Sequence, residues 1–330
     1  MTKVLVTGGA GYIGSHTVKK LGEAGYEVVV YDNLSTGSAD AVVYGELIEG
    51  DLQDTKHLSW VFEKHKFDAV LHFAASISVP ESLESPLAYY HNNTCNVVNV
   101  LRCCETYKVN KFVFSSTAAV YGEIQEYPVR ETFPTAPINP YGQSKLMSEK
   151  IIRDYARASE LKYIILRYFN VAGADSSGEI GQMGKKAAHL IKVGCDAALG
   201  VRPAAKIFGT DYPTPDGTGI RDYIHVEDLA VAHVDALTYL EKGNSSQILN
   251  CGYGKGYSVK EVLLKIKEIS GVDFPVIETP RREGDPACVV ASADKIRKLT
   301  GWKPKHDSLE EIVSSALAWE KKKSKEPNLI

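Results

Sequence analysis

Tyr141 and Lys145, in the run Tyr-Gly-Gln-Ser-Lys, are the residues of this chain best suited to acid–base chemistry. Positions four apart share one face of a helix, so the phenol and the ammonium point the same way. A free phenol has a pKa near ~10 and is a poor base at neutral pH. A neighbouring ammonium, together with a cationic nicotinamide, favours the phenolate by Coulomb attraction. Lowering the phenol by about three units corresponds to about 4 kcal/mol of differential stabilisation. Such a group can take a proton from a hydroxyl while a cofactor accepts hydride from the same carbon. The same spacing also suits a plain surface helix, so its meaning depends on the sequence around it.

Upstream, Lys3-Val-Leu-Val-Thr7 passes directly into Gly8-Gly-Ala-Gly11-Tyr-Ile-Gly14. A strand, a glycine turn and a helix start in that order make a dinucleotide-binding element. Gly8 permits the tight turn, Gly11 lets backbone approach a pyrophosphate, and Gly14 allows close helix packing. The helix start adds unpaired N–H groups and a partial positive charge. Asp32 closes the second predicted strand, where a carboxylate accepts from both ribose hydroxyls. Its charge repels a 2′-phosphate, which favours NAD over NADP. An acidic strand-end cap is the plainer alternative. Asp51, following Ile48-Glu-Gly50, is placed to meet the adenine.

These residues need a scaffold, and the first half of the chain supplies its pattern. Short apolar runs predict strands at Lys3–Thr7, Glu27–Asp32, Glu46–Glu49, Ala69–Phe73, Lys111–Ser115 and Tyr163–Arg167. Helices are predicted at Ile13–Ala24, Gln53–Lys64, Pro86–Thr106 and Gly142–Ser159. Strands rich in β-branched residues and lacking strict alternation suit a parallel sheet buried on both faces. The fold class is therefore α/β: a doubly wound parallel sheet with a second, smaller α/β lobe for substrate. Its ligand lies beyond the carboxyl ends of the strands. The predicted division is residues 1–170 for the nucleotide-binding lobe, rejoined by about 221–245, with 171–330 mainly the substrate lobe. Gly and Pro cluster in 173–184 and 211–217, where the alternation breaks up.

Composition narrows the remaining classes. With 330 residues the chain exceeds the size at which a single core stops growing, and 44% hydrophobic with 24% charged residues is ordinary for a soluble protein. A net charge of −3 gives no reason to expect nucleic acid or an acidic membrane as partner. The six cysteines and nine histidines show no metal-ligand spacing. Free thiols in a reducing cytoplasm are expected, and no metal. Lys3 already opens a strand, so no signal peptide is expected, and no apolar run is long enough to cross a membrane. The run Lys321-Lys-Lys-Ser-Lys325 is expected as a solvated tail.

The glycine spacing is GxxGxxG. With TGGAGYIGSH at 7–16, DNLSTG at 32–37, HFAAS at 72–76, FSSTAAVYG at 114–122 and YGQSK at 141–145, the chain resembles the extended short-chain dehydrogenases/reductases. LRYFNVAGA (166–174), RDYIHVEDLA (221–230) and RREGDPA (281–287) narrow the resemblance to the UDP-glucose 4-epimerase family, over nearly the whole chain. The resemblance implies Tyr141 as catalytic base, Lys145 on the nicotinamide ribose, and a hydroxyl of the SST segment as third member. Alignment puts Thr117 at that place, and Ser116 is the neighbouring hydroxyl that could substitute. A threonine in some relatives is here Ala119. For the cofactor the resemblance carries over to Tyr12, Ile13, Asn33, Leu34, Ser35, Thr36 and Gly37. It also reaches Leu52, Phe73, Ala74, Ala75, Asn92 and Phe169. For the nucleotide-sugar it implies Asn170, Leu190, Lys206, Ile207 and Phe208, with Arg221, Arg282 and Asp285. His189 stands where some relatives have asparagine. A diphosphate needs forked cationic donors, which arginine provides. Solvated surface arginines are the plainer alternative for Arg221 and Arg282.

The resemblance implies interconversion of UDP-glucose and UDP-galactose at C4 through a 4-keto sugar, with NAD held throughout and a place in galactose metabolism. It also implies a homodimer pairing the helices at Pro86–Thr106 and Gly142–Ser159. A bulky tyrosine in some relatives narrows the sugar pocket near Val289. Cys288 and Val289 are both small, which predicts room for UDP-GlcNAc and UDP-GalNAc, unless Val289 is core filler. A 4,6-dehydratase would need an acid pair after Thr117, where Ala118-Ala119 stands. A non-catalytic NAD-sensing regulator would have no use for Tyr141, Lys145, Thr117 and two arginines together.

Overall fold

The computed structural model describes residues 1–124, 126–184, 189–282 and 285–325. Strand β1 (Lys3–Thr7) turns through the glycines into helix α1 (Tyr12–Glu23), followed by β2 (Glu27–Asp32) and β3 (Glu46–Glu49). Helix α2 (Thr55–His65) and strand β4 (Ala69–His72) follow, then a short helix α3 (Val79–Glu84) that the sequence did not signal. The helix predicted over Pro86–Thr106 comes in three parts: α4 (Pro86–Tyr89), a π-helical segment (Tyr90–Cys95) and α5 (Asn96–Tyr107). Next are β5 (Lys111–Thr117), α6 (Pro140–Ala158), β6 (Lys162–Tyr168) and β7 (Asn170–Ala172). The remaining elements are α7 (Leu190–Ala198), β8 (Ala205–Phe208), β9 (Ile220–His225), α8 (Val226–Glu241), β10 (Gln247–Cys251), β11 (Gly256–Ser258) and α9 (Val259–Ser270). Strands β12 (Val276–Thr279) and β13 (Cys288–Val289) precede α10 (Asp294–Thr300) and α11 (Leu309–Lys325).

Among the described residues the main sheet has seven strands in the order β3-β2-β1-β4-β5-β6-β10, and every pairing is parallel. The expected burial on both faces holds. Val4 and Val6 join one core with Val28, Val30 and helix α8, while Leu5, Val29 and Phe112 join the other under α2, α5 and α6. Alternate side chains of one strand thus serve two cores. Strand order reverses between β1 and β4, so a crevice opens at their carboxyl ends beside the glycine turn.

A second, four-stranded sheet is built around β9, which pairs in parallel with β7 and β13 and antiparallel with β11. A separate parallel pair joins β8 to β12. Helix α8 packs back on α1, β5 and β6. Strand β10 follows and pairs in parallel with β6 as the seventh strand of the main sheet.

The lysine-rich run is not a solvated tail. It forms the last turns of α11, where Lys322 Nζ donates to the Gly178 carbonyl at 2.8 Å and Lys323 Nζ to that of Gln182 at 3.3 Å. Trp319, only 3% exposed, anchors the helix beside them.

Candidate active site

The glycine turn divides its labour as the steric argument requires. Gly8 has φ +73°, and a Cβ there would lie 2.4 Å from the Ala74 nitrogen. At Gly14 a Cβ would stand 2.2 Å from the Gly8 carbonyl oxygen. Both positions are closed by the protein itself. At Gly11 a Cβ would meet only that same oxygen, at 3.3 Å, so its open side faces the crevice. Gly11 also caps α1 with no side-chain bond, leaving the first N–H groups for an anion. The described residues therefore fit a dinucleotide pyrophosphate.

Asp32 is buried at the end of β2, accepting from Ala10 N at 2.9 Å and Leu34 N at 2.9 Å. Burial raises its carboxyl above the usual range, and those two N–H bonds hold it down. It ties the glycine turn to the following loop and keeps lone pairs free for a ribose. Leu34 has φ 55°, a strained conformation for a leucine, in the segment expected at the adenosine. Asn33 Nδ2 donates to Asp51 Oδ2 at 2.9 Å, so Asp51 anchors this loop. Phe73 and Ala74 both donate backbone N–H to the Thr7 carbonyl, which brings the β4 end against the turn. The Tyr12 hydroxyl points away, to the Gly173 carbonyl at 2.6 Å.

Helix α6 starts where it must. Asn139 accepts from Gly142 N at 2.9 Å, and Pro140 is preset for the first helical position. Gly142 has no room for a side chain, since a Cβ would lie 2.7 Å from the Ala119 carbonyl oxygen. This contact draws the first turn, with Tyr141, onto the end of β5. Thr117 is the last residue of β5, and its hydroxyl is the neighbouring polar group that favours the ionised Tyr141 phenol. It also accepts from Ala119 N at 3.1 Å. Ser116 points elsewhere, donating to Glu149 at 2.5 Å.

The phenol is expected to be acidified by Lys145 together with a cationic nicotinamide. In the protein alone, burial raises Tyr141 above the ordinary phenol value, and the opposing influence is Thr117. Lys145 is buried as well, which lowers its ammonium to about 7, opposed by the charge of Glu149. Its Nζ donates to the Ser115 carbonyl at 2.9 Å and lies 4.9 Å from the Phe114 ring centre. Desolvation outweighs the pair attraction because both groups are shielded from water. Acidifying the phenol thus needs further positive charge above it.

On the other side of the crevice, Arg221 of β9 pairs with Asp285 and donates to the Ile220 carbonyl at 2.8 Å. Asp285 thereby aims Arg221. Arg282 stacks on Phe208 at 3.6 Å from the ring centre, while Ile207 turns into the core. Lys206 is exposed on β8, Asn170 is exposed at the start of β7, and Leu190 is half-buried at the start of α7. His189 caps α7 and lines a small cavity with Gly173, Lys192 and Trp319. Strand β13 sets Val289 opposite Arg221 in register. Val289 is buried with Leu146, Phe169 and Tyr121, whereas the Cys288 thiol feels the Arg221 charge.

A family model described as the NAD dependent epimerase/dehydratase family matches residues 4–252. The chain belongs to that epimerase/dehydratase family. It is 55% identical over 320 residues to the UDP-glucose 4-epimerase of Azospirillum brasilense, covering 97% of this chain and 92% of that protein. A solved UDP-Glc/GlcNAc 4-epimerase of Campylobacter jejuni is 52% identical, with TM-score 0.87, covering 98% of this chain and all (100%) of that one. A Bifidobacterium longum UDP-glucose 4-epimerase in complex with NAD+ and UDP is 38% identical, with TM-score 0.93 and 100% coverage of both chains.

Sequence reasoning missed several residues that shape this epimerase/dehydratase site. Asn93 is buried beside Asn92. Its amide accepts from Ser76 N at 2.8 Å, donates to Ser76 O at 2.9 Å and reaches Ser144 Oγ at 3.0 Å. Asn92 donates to the Ser76 hydroxyl at 3.0 Å. Asp222 accepts from Tyr253, Gly254 and Ala291 backbone N–H at 2.9–3.1 Å, joining the strand of Arg221 to the stretch after Val289. Glu149 and Arg167 form a buried ion pair behind Lys145. The spacing Tyr141, Lys145, Glu149 was a usable signal, being one helical face continued by a further turn.

Proposed function

We infer that this chain interconverts UDP-glucose and UDP-galactose by inverting C4, with NAD as bound cofactor. The observation that carries this reading is a buried Tyr141 with Lys145 one turn on, beside the strand end that carries Thr117, in a chain whose glycine turn fits a dinucleotide. Family membership and the relatives' names support the same chemistry.

Tyr141 removes the O4 proton of the bound hexose and later returns one. NAD, when held at the glycine turn, supplies the hydride acceptor at C4 and is regenerated in each cycle. Thr117 orients the phenol, and Lys145 adds positive charge beside it. Arg221 and Arg282 hold the diphosphate while the 4-keto sugar turns over between them and Tyr141. The residues after Thr117 argue against dehydration, since Ala118 and Ala119 offer no acid pair.

The small residues at Cys288 and Val289 extend the substrates to UDP-GlcNAc and UDP-GalNAc. Two chains pair as a homodimer through α4–α5 and α6, a reading supported by Leu87 (80% exposed) and Met147 on those elements. Six free thiols suit a reducing, cytoplasmic setting. No described helix is long and apolar enough to cross a membrane. The test is incubation of purified protein with each UDP-sugar and no added NAD. Appearance of UDP-glucose from UDP-galactose is expected. A 4-keto-6-deoxy product would indicate a dehydratase, and no product a regulator.

A further inference from the structure

The ion pair behind the catalytic face has no role in the chemistry described so far. Glu149 is fully buried on α6, one turn beyond Lys145. Its Oε1 accepts from Ser116 Oγ at 2.5 Å and from Arg167 Nε at 2.9 Å, and its Oε2 accepts from Arg167 Nη2 at 2.6 Å. Arg167, on β6, lies over the Tyr121 ring at 4.9 Å, and the Tyr121 hydroxyl donates to Asn250 Oδ1 at 2.6 Å. Tyr121 ends the 3-10 turn that follows Thr117. The pair therefore grips the polypeptide on both sides of Thr117: Ser116 before it and Tyr121 after it. Ser115, one residue further back, carries the carbonyl that receives Lys145.

Stability alone explains this arrangement poorly. Removing two charges from water carries a desolvation penalty comparable with their mutual attraction, and an apolar pair of similar volume often serves as well or better. What an apolar pair cannot do is fix the strand end through directed bonds.

We propose that Glu149, held by Arg167, is a positioning residue of the epimerase reaction, fixing the Ser115–Thr117 strand end on which Tyr141 and Lys145 depend. The proposal rests on the function inferred above. Around Lys145 the titratable neighbours are Tyr141 and Glu149 on its own helix and His72 on β4, with Tyr168 of β6 facing Tyr141. Of these, Glu149 is the one whose charge retains the lysine proton.

The experiment compares wild type, Ser116→Ala, and the double variant Glu149→Leu with Arg167→Met, using UDP-galactose. Unfolding temperature, kcat, KM and the pH profile of kcat are measured on each. The double variant is expected to stay folded while kcat falls roughly ten- to hundredfold with KM unchanged. Its alkaline limb should move to lower pH, because Lys145 loses its proton earlier. Ser116→Ala should show a smaller fall in kcat without loss of stability. A folded double variant with wild-type kcat and pH profile overturns the proposal. If the double variant fails to fold, unchanged kcat in Ser116→Ala overturns it instead. Wild type inactive on UDP-galactose would sink the functional reading itself, a different outcome.

Discussion

The two ends of the candidate site are made of different material. The proposed cofactor end is mostly backbone: a glycine turn, a bare helix start and a strained loop pinned by Asp32. The proposed nucleotide-sugar end is mostly side chains, with Arg221, Arg282, Phe208 and Asp285 drawn from segments far apart in sequence. Backbone surfaces tolerate almost no added volume, whereas side-chain surfaces can be altered by degrees. The cofactor end should therefore fail abruptly when changed, and the sugar end should retune.

The largest expected effect lies between the two ends. Tyr141→Phe removes the proton acceptor and should cost about a thousandfold or more in kcat while the fold and bound NAD remain. Product formation and cofactor absorbance measured on the same sample check this, and near-normal turnover would remove Tyr141 from its role. At the cofactor end, Gly14→Ala forces a methyl against the Gly8 carbonyl and should lower stability by about 3 kcal/mol. Asp32→Gly should strip NAD from the purified protein, and unchanged cofactor content would take Asp32 out of the site.

At the sugar end, Arg221→Ala should raise KM for UDP-sugars about ten- to a hundredfold with bound NAD intact, as expected for a lost charged hydrogen bond. A loss of NAD instead would break the division drawn between the two ends. The smallest change is expected from Val289→Tyr, which should depress UDP-GlcNAc and UDP-GalNAc turnover about tenfold relative to UDP-galactose. Equal rates on all four sugars would show that Val289 only fills the apolar cluster around Leu146 and Phe169.

Lys145 adds a prediction about pH. In the fold its ammonium titrates near about 7, against an ordinary value of 10.5. Between those values the unfolded chain binds a proton that the folded chain does not, so the Lys145 contribution to stability rises with pH across that window. Denaturant titrations of NAD-free protein at pH 7 and pH 9 should show that rise. Lys145→Met should flatten it and lower kcat together.

Much of this was legible in the sequence because its signals are local. All six strands predicted for the first half form, and Lys3–Thr7, Glu27–Asp32 and Glu46–Glu49 match in their bounds. The glycine turn, Tyr141 with Lys145, and the move of α8 onto the sheet follow from patterns within a few dozen residues. What escaped depends on distant pairing. Nothing near Asn93 announces that it will bridge Ser76 to Ser144, and nothing near Arg221 announces Asp285 as its partner. The lysine-rich end misled because charge argues for solvent, while Trp319 and the carbonyls of Gly178 and Gln182 hold it in a helix. Spacing gives the adjacency of Tyr141 and Lys145, but their depth of burial, which raises the phenol and lowers the ammonium, emerges only from the whole fold.

The π-helical segment at Tyr90–Cys95 acts as a rotary coupling in the long helix it interrupts. An α-helix advances about 100° per residue, so one residue accommodated there turns everything downstream by more than a quarter revolution. That offset lets Asn92 and Asn93 look toward Ser76 and α6 while Val97, Val100 and Leu101 look toward the sheet. Deleting a single residue from the segment would not merely shorten the helix. It would force a choice between seating the asparagines and seating the valines.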